Sequence, residues 1–490
     1  MPSPASAWRS PERLALLLVA ASIALHVALA GLVSLSPQEA YYWQFARHPD
    51  LSYFDHPPLA AWTIHLTTAL FGQGERAVRL AAALHGGLFA LFFFLAGRRL
   101  FGSRAALWAM VAALATPLFA LGQTVITPDG PLLAGWAATF YFTVRALDEE
   151  RGAWLLAAGA AVGFATLGKY TGWLLAPQVF LALLLDARGR RLLLSPWPYL
   201  ALLLALALFT PVLVWNSRHG WISFAYQVNW RSNTSSPFSL RRLGSFLGLQ
   251  ALAVTPVLWG ALCCAAVAAA RRWRDPGYLM AALFSLPLFA MSLAASPFVW
   301  VKGNWAAPVY PTAYLAAAAL FLEAPRARRR LAIASLATAV AGSVYVHLAM
   351  ALPALPFPAK EDVTSGWKEL AARVQAERDK IPGPSFALGC TYKPASELAY
   401  YLPGRPETYG QNAMREAAQQ YDYWYDDGGI LGREGIVVLD GREWKNCLRR
   451  AEFCKPLEEL EPLTVRRGKR VVTTFRIWRC RYVNMVGANP

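Results

Sequence analysis

Isolated acidic and basic side chains lie in short polar segments between long apolar runs of this sequence. Glu39, Asp55 and Asp129 are acids, and each can take a proton from a hydroxyl nucleophile. His56 and Lys169 can hold the negative charge of a phosphate. Together these residue types suit the transfer of a group to or from a phosphate, provided that the fold brings them to one place.

The first polar segment begins with Ser36-Pro37-Gln38-Glu39, which has the spacing of a capping box with proline at the first helical position. Glu39 therefore has two interpretations, a helix cap and a catalytic acid, and both roles can coexist. The helix that would follow, 37–47, is amphipathic, and we expect it to lie in a membrane interface with Tyr41, Tyr42 and Trp43 as interfacial aromatics.

The same segment continues with Tyr53-Phe54-Asp55-His56 and a double proline. A solvated interfacial turn would explain the prolines, but it needs neither the acid nor the histidine. We therefore expect Asp55 to handle protons or a metal ion, His56 to contact phosphate and Tyr53 to contribute to substrate binding.

Asp129 and Lys169 each stand alone at the end of an apolar run. Asp129 could merely cap the helix that follows it, and Lys169 could merely extend its ammonium to the membrane surface. A lone carboxylate at the mouth of a helix bundle is nevertheless a functional candidate, and a lysine point charge suits a lipid phosphate.

Two further polar segments, 215–221 and 300–305, combine amides, cations and indoles. We expect Arg218 or Lys302 to hold a phosphate, with His219 and Asn304 as further substrate contacts. Anchoring of tryptophans in the interface explains the indoles equally well. Convergence of these segments on one face would distinguish the two interpretations.

The elements that must position these residues are apolar. Of 490 residues 56% are hydrophobic and only 16% are charged, which excludes an ordinary soluble enzyme. The net charge of +17 has no nucleic-acid-reading motif beside it, so we expect no nucleic acid partner. The apolar segments predict eleven transmembrane helices, near 14–34, 79–97, 105–123, 131–147, 153–168, 171–186, 197–215, 245–270, 277–294, 307–323 and 332–352.

The arginines between these segments predict the orientation. They cluster at 98–104, 145–151, 188–191, 271–274 and 326–330, all on the side of the N-terminus, which the positive-inside rule makes cytoplasmic. The segment 14–34 is too long for a signal peptide and lacks a small-residue cleavage site, so we expect a membrane anchor. The candidate residues then face the periplasm of a bacterial inner membrane.

The composition changes after residue 352. We predict a transmembrane catalytic domain over 1–352, whose first external loop is 35–78, and a soluble periplasmic α/β or α+β domain over 353–490. Residues 435–440 and 471–478 have strand patterns, and 366–380 has helical spacing. Four cysteines in this domain predict two disulfides of open connectivity, with a zinc site as the rival: Cys390, Cys447, Cys454 and Cys480.

The pattern resembles a known family, the GT-C glycosyltransferases of the protein O-mannosyltransferase and lipid A aminoarabinose transferase kind. The resemblance covers nearly the whole chain and rests on the blocks 38–43, 53–59, 127–131, 168–171 and 215–221. It implies a mostly α membrane fold and inverting transfer of a sugar from a polyprenyl monophosphate, with an acid of the first external loop as base. The acceptor is then lipid A, another glycolipid, a polysaccharide or a protein.

The sequence departs from the family pattern at two positions. Gln38 stands where an acidic pair would begin, so the base is Glu39, Asp55 or Asp129, or catalysis is altered. His56 stands where a phosphate-binding lysine precedes the double proline, which would make donor binding sensitive to pH. No cofactor is implied with certainty; a divalent metal held by these acids and histidines remains an alternative.

Two other function classes compete with transfer. A polytopic lipid or sugar transporter would also have many spans, but transporters carry charge at the bilayer midplane and repeated halves. A member of the family that binds the lipid-linked sugar without turnover is the second alternative. The blocks 396–402 and 421–427 of the C-terminal segment could help to hold an acceptor, or they could be a packed helix and a surface loop.

Overall fold

The computed structural model describes residues 10–233, 237–414, 416–425, 427–443 and 453–483. Its contacts divide the chain into two compact units. The first comprises Met1–Ala30, Leu51–Thr63 and Arg79–Val346, and the second comprises Gly31–Asp50, Ile64–Val78 and His347–Pro490. The division into separate domains at residue 352 stays a prediction.

Helices dominate the chain up to residue 351. In chain order they are α1 Pro11–Leu29, α2 Pro37–Arg47, α3 Leu59–Phe71, α4 Glu75–Ala115, α5 Pro117–Thr124, α6 Asp129–Asp148, α7 Ala153–Gly168, α8 Leu175–Leu185, α9 Ala187–Leu193, α10 Trp197–Arg218, α11 Ile222–Asn233, α12 Leu240–Val254, α13 Pro256–Arg271, α14 Pro276–Ala295, α15 Tyr310–Glu323 and α16 Arg326–Ala351. Short 3-10 helices, Tyr170–Leu174 and Gly303–Val309, precede α8 and α15.

The described helices include six that are long and apolar enough to cross a membrane, and two bent pairs raise that count to as many as eight. α3 and α7 are shorter apolar helices. A chain with this many apolar helices is an integral membrane protein. The number eleven stays a prediction.

Two predicted spans are wrong in their limits, and proline is the cause in both. The segment 245–270 is broken at Thr255, which has a φ of 74°, and α12 and α13 meet at 103° because Pro256 cannot continue the ladder. The segment 105–123 ends as a helix at Ala115, since Pro117 starts α5. α4 also contains a break, at Gly102 with a φ of 81°.

Helices α6, α7 and α10 of the first unit pack closely because glycines line their contacts. A Cβ on Gly159 would lie 2.2 Å from the carbonyl oxygen of Ala201, and one on Gly135 would lie 2.7 Å from the amide of Ala165. Small residues of this kind let apolar helices approach where lipid gives no hydrophobic drive. Aromatic rings fill the core beside them, among them Trp136, Phe140 and Phe284.

The second unit contains a four-stranded sheet in the order β1-β2-β4-β3. Its elements are α17 Trp367–Arg378, β1 Phe386–Gly389, α18 Tyr392–Tyr401, β2 Glu434–Asp440, β3 Cys454–Arg467 and β4 Arg470–Tyr482. β1 and β2 are parallel and the other pairs are antiparallel. Trp367 and Leu398 from the helices pack against Phe475 and Ile477 of the sheet. The predicted strands and the predicted helix at 366–380 are confirmed.

One predicted disulfide is confirmed, between Cys454 and Cys480 on neighbouring strands. Cys390 is also disulfide-bonded, and Cys447 lies outside the described residues. Cys263 and Cys264 in α13 are free thiols. Four-cysteine zinc binding, the rival prediction, is therefore wrong because Cys454 and Cys480 are oxidised to each other.

Candidate functional site

Asp129 is the centre of a charged cluster in the first unit. Lys169 donates from Nζ to Asp129 Oδ1 at 2.7 Å, and Asn304 donates from Nδ2 to Asp129 Oδ2 at 2.8 Å. The aspartate is 9% exposed. The capping alternative for Asp129 is wrong, because the N-cap of α6 is Pro128 and receives no side-chain cap bond. Partners from distant parts of the chain hold this carboxylate instead.

A close approach of two helix ends brings Lys169 to Asp129. Lys169 is an extended residue between α7 and the following 3-10 helix. A Cβ on the preceding Gly168 would lie 2.9 Å from the amide of Leu132 and 2.9 Å from the ring of Pro131. Glycine is therefore required for the end of α7 to lie against the first turn of α6, and that contact sets the ion pair.

His56 belongs to the same cluster by its electrostatics. Its pKa is lowered to about 3, mainly by burial and then by the positive charge of Lys169; Asp129 opposes this and Lys302 adds to it. His56 is therefore a neutral imidazole at neutral pH. Its Nε2 lies 4.0 Å from Asp55 Oδ2, which is a contact with a neutral ring rather than an ion pair.

The segment that carries Asp55 and His56 is fixed to α11. Ser223 donates from Oγ to the carbonyl of Tyr53 at 3.1 Å, and Gln227 donates from Nε2 to the carbonyl of Asp55 at 2.9 Å. The rings of Phe54 and Tyr226 lie 4.7 Å apart. Burial and the charge of Asp55 raise the pKa of Tyr226 to about 12. Tyr53 is fully buried and positions this backbone.

Asn216 connects this arrangement to the end of α10. Its Oδ1 accepts from the amide of Ser223 at 3.1 Å, and its Nδ2 donates to the carbonyl of Val212 at 3.0 Å. Trp221, in the turn before α11, has a φ of 59°, so the chain reverses tightly between the two helices. The polar block at 215–221 thus contributes chiefly by positioning the segment that carries Asp55.

The other side chains predicted to bind phosphate or substrate are His219, Arg218 and Lys302. His219 hydrogen bonds through Nδ1 to the carbonyl of Trp215 at 2.7 Å and stacks on that indole at 3.9 Å. Arg218 and Lys302 are exposed, and the charge of Lys302 reaches His56. Roles for Arg218 and His219 in substrate binding stay predictions.

The structure adds residues that the sequence did not single out. His85 in α4 is 3% exposed, and its Nε2 lies 3.3 Å from Thr63 Oγ1. A Cβ on Gly130 would lie 3.5 Å from His85 Nδ1, so the ring packs beside the first turn of α6. A lone histidine inside the predicted span 79–97 was the available signal. Ser223 and Gln227 follow the polar segment 215–221, and no residue pattern marked them.

Glu39 lies in the second unit and forms the predicted capping box. The amide of Ser36 donates to Glu39 Oε2 at 2.9 Å, and the amide of Glu39 donates to Ser36 Oγ at 3.4 Å. Glu39 is fully buried. The cap interpretation is confirmed.

The prediction that Tyr41, Tyr42 and Trp43 of α2 are interfacial anchors is wrong, because these side chains are packed inside the second unit. That α2 lies in a membrane interface stays a prediction. Tyr41 contacts the ring of Tyr392 at 4.6 Å, and its hydroxyl accepts from the amide of Gln420 at 3.1 Å. Trp43 donates to Gln73 Oε1 at 2.8 Å. These side chains, with Tyr42, are at most 7% exposed. Tyr421, a suggested acceptor contact, is also buried core.

Among the residues that the structure describes, no three Cys, His, Asp or Glu side chains are arranged to hold a metal ion. The suggested combination of the three acids with His56 and His219 is therefore not assembled as a ligand set.

Comparisons with known proteins agree with this architecture. The model of the family described as dolichyl-phosphate-mannose-protein mannosyltransferase matches residues 55–215, the part that contains Asp55, Asp129 and Lys169. The crystal structure of ArnT from Cupriavidus metallidurans superposes with a TM-score of 0.66 at 19% identity, covering 97% of this chain and 98% of that one. The chain therefore shares the fold of ArnT, the GT-C fold.

Curated relatives of this chain are glycosyltransferases by name. The lipid A galacturonosyltransferase RgtD of Rhizobium johnstonii is 27% identical over 294 residues, which is 59% of this chain and 62% of the relative. An undecaprenyl phosphate-alpha-4-amino-4-deoxy-L-arabinose arabinosyl transferase of Pseudomonas savastanoi pv. phaseolicola is 28% identical over 175 residues, 34% of this chain and 32% of the relative. The alignments thus span less than two thirds of either relative. ArnT also matches in its form bound to undecaprenyl phosphate, with a TM-score of 0.64.

Proposed function

We propose that this protein transfers a sugar from a polyprenyl-phosphate donor to a hydroxyl of an envelope glycolipid. The carrying observation is the cluster in which Asp129 binds Lys169 and Asn304, while His56 lies within reach of the charges of Asp129 and Lys169. Four separate polar segments of an apolar helical unit contribute to it. A relative named as a lipid A galacturonosyltransferase and a structural neighbour bound to undecaprenyl phosphate support the choice of acceptor and donor.

Lys169 is the principal phosphate ligand in this proposal. An ammonium has three N–H donors, and one of them is directed to Asp129 Oδ1, which fixes the position of the charge. The remaining donors suit phosphate oxygens. Lys302 supplies a second positive charge, and Asn304 and the neutral His56 supply hydrogen bonds. This set stabilises the phosphate that leaves during transfer.

Asp55 is the proposed base. Both oxygens of Asp129 already accept hydrogen bonds from Lys169 and Asn304, and a carboxylate oxygen of Glu39 accepts from its own helix cap. The carbonyl of Asp55 accepts from Gln227, which fixes the backbone of the residue, and its carboxylate lies 4.0 Å from the neutral imidazole of His56. The remaining residues of the predicted set, Tyr53, Arg218 and His219, act in positioning or at the periphery.

The proposed reaction is a single displacement. Asp55 takes the proton of the acceptor hydroxyl as its oxygen bonds to the anomeric carbon of the sugar. The bond between that carbon and the phosphate oxygen breaks, and the electron pair leaves with the polyprenyl phosphate. Attack from the side opposite the leaving group inverts the anomeric configuration. Lys169 and Lys302 stabilise the charge that develops on the phosphate.

The membrane arrangement completes the proposal. Eleven crossings of a bacterial inner membrane, with arginine clusters such as 326–330 in the cytoplasm, place the cluster at the periplasmic surface. The segment after residue 352 would then be a soluble periplasmic domain, where its disulfide can form. A lipid-linked donor presents its phosphate at that depth.

The test is mass spectrometry of envelope glycolipids from cells with and without the gene, complemented by wild type, Asp55→Asn or Asp50→Asn. Asp50 is an exposed acid five residues earlier and serves as the matched control. We expect a sugar-sized mass difference that wild type and Asp50→Asn restore, and a rate for Asp55→Asn lower by about 10³. An unchanged glycolipid profile would exclude this acceptor class. If purified protein instead moved the lipid-linked sugar across vesicles without transfer, the transporter alternative would replace the proposal.

A further inference from the structure

A cavity in the second unit has the composition of a binding site, and the proposed reaction does not use it. It has a volume of about 530 Å³ and is lined by Glu75, Lys368, Tyr400, Tyr401, Pro403 and Arg405. Ligand sites for small molecules commonly have volumes of this order. Two cations and one acid give this lining a formal charge of +1 (2 − 1).

The cations of the cavity are held in defined positions. Lys368, in the first turn of α17, lies 2.8 Å from Glu75 through its Nζ and is 57% exposed. Arg405 donates from Nη2 to the carbonyl of Gln73 at 2.9 Å and from Nε to the carbonyl of Tyr400 at 3.4 Å. A guanidinium has five N–H donors, so it can hold an anion and keep these two bonds.

Aromatic rings form the apolar part of the wall. The guanidinium of Arg405 lies 5.3 Å from the ring centroid of Tyr400, and Lys368 Nζ lies 5.6 Å from that of Tyr401. The two tyrosine rings are 4.8 Å apart and nearly perpendicular. Tyr401 accepts from the amide of Leu35 at 2.7 Å, which fixes its hydroxyl. Rings beside fixed cations suit a ligand with both apolar faces and negative charge.

The backbone of Arg405 adds a further sign of a built site. Its φ is 48°, in the left-handed region that residues with a Cβ rarely adopt. Such conformations persist where surrounding contacts enforce them, and they cluster at ligand sites. Here the two carbonyl bonds and the stacking of Arg405 on Tyr400 enforce the conformation.

Glu75 connects the cavity lining to an apolar helix. It is the first residue of α4, the long helix that includes the predicted span 79–97, and it precedes that span by four residues. We therefore take a membrane lipid as the source of the ligand. A headgroup carried by a lipid can reach it without leaving the membrane.

We propose that this cavity binds the phosphorylated saccharide headgroup of the acceptor glycolipid. Lys368 and Arg405 bind its phosphate, and Tyr400 and Tyr401 contact the sugar ring. The inference rests on the proposed transferase function and extends it by naming the acceptor class and the residues that recognise it. It also gives a role to the 396–402 block.

The test compares Lys368→Glu with Lys380→Glu in full-length protein in phosphatidylcholine nanodiscs. Lys380 is the matched control, because it follows the same helix, pairs with Glu377 and is 59% exposed. The probe is bisphosphorylated lipid A, with chemically dephosphorylated lipid A and phosphatidylglycerol as comparisons. We expect Lys368→Glu to weaken lipid A binding by about tenfold, whereas Lys380→Glu and the binding of undecaprenyl phosphate stay unchanged. Arg405→Lys keeps the positive charge but loses the paired N–H donors of the guanidinium, so it should weaken lipid A binding less than Lys368→Glu does.

The outcomes separate this inference from the proposed function. Equal lipid A binding by Lys368→Glu and Lys380→Glu overturns the cavity site, as does equal binding of the dephosphorylated probe or of phosphatidylglycerol. Transfer that continues normally in Lys368→Glu at low acceptor concentration overturns it as well. If wild type binds lipid A through Lys368 but transfers no sugar, the cavity stands and the transferase proposal fails.

Discussion

Two buried acids, each in the first turn of a helix, have opposite kinds of partner. Glu39 in the second unit accepts from the amide of Ser36, three residues away, and completes a capping box. Asp129 in the first unit accepts from Lys169 and Asn304, 40 and 175 residues away. An acid in the first turn of a helix thus completes an N-terminal cap in one unit and a charged cluster in the other.

The difference lies in what each carboxylate fixes. A capping box satisfies orphan amides and stabilises one helix locally. The bonds to Asp129 hold two side chains in one geometry, and those side chains are the groups that suit a phosphate. Hydrogen-bond donors from distant parts of the sequence to a buried acid are therefore a better sign of a functional centre than donors from the same helix cap.

The largest effect on stability is expected for Lys169→Met. It leaves the buried carboxylate of Asp129 with a hydrogen bond from the neutral amide of Asn304 but without the positive charge of Lys169, which should lower the free energy of unfolding by about 3 kcal/mol. Denaturant unfolding in mixed micelles measures it, with the exposed Lys302→Met as control. The double variant Asp129→Asn with Lys169→Met should recover part of the loss, because no unpaired charge remains. If Lys169→Met and Lys302→Met had equal free energies of unfolding, Asp129 would be solvated and would not depend on Lys169 for a counter-charge.

The next effect is a pH dependence at His56. Its folded pKa of about 3 lies below the ordinary value of 6.5, so the unfolded chain binds one proton more between those values. Stability is then fully present above pH 6.5 and is lost as the pH falls toward 3. Lys169 and Lys302 disfavour the imidazolium, while Asp55 and Asp129 do not offset the cost of burial.

The pH prediction is measured against His56→Gln. Between pH 7 and pH 5 wild type should lose about 2 kcal/mol more than the variant, in unfolding experiments at constant ionic strength. His65, which bonds to the carbonyl of Ala46 in the second unit, gives the control His65→Gln. If the free energies of unfolding of wild type and His56→Gln changed in parallel with pH, His56 would lie in solvent rather than in the cluster.

Much of the fold was readable from local sequence. Apolar runs bounded by arginines located the helices α6, α7, α10 and α14 within a few residues, and alternating residues located β2 and β4. The break at Thr255 was missed although Pro256 signalled it, since the apolar count of 245–270 outweighed one proline. The burial of Tyr41 and Trp43 was missed because their partners, Tyr392 and Gln73, are far away in sequence.

The residues of the candidate site also differ in how far the sequence alone could predict their roles. The cap of Glu39 follows from a spacing of three residues, so sequence alone could predict it. Asp129, Lys169 and Asn304 could be singled out by type and context, but their mutual contact depends on helix packing through Gly168. The roles of Ser223 and Gln227 could not be predicted, because backbone carbonyls are their partners and no residue pattern marks those.

The smallest effect is expected for Glu39, and it tests the other side of the comparison. Glu39→Gln keeps a group that can accept from the amide of Ser36, so it should leave stability almost unchanged. Glu39→Ala removes the acceptor and should cost about 1 kcal/mol, similar to Ser36→Ala, which removes the reciprocal bond. Transfer rates of all three should stay within about twofold of wild type, because the capping box stabilises its own helix and the proposed base is Asp55.

The readout that decides the role of Glu39 is kcat of Glu39→Gln in purified protein, with the unfolding midpoint measured on the same sample. An unchanged kcat leaves Asp55 as the base and makes the capping box a structural device of the second unit. A loss of about 10³ in kcat with an unchanged midpoint would make Glu39 the base. In that case the sequence separation between an acid and its hydrogen-bond partner would not distinguish structural from catalytic acids in this fold. A carboxylate bound by its own helix cap would also be the one that takes the proton.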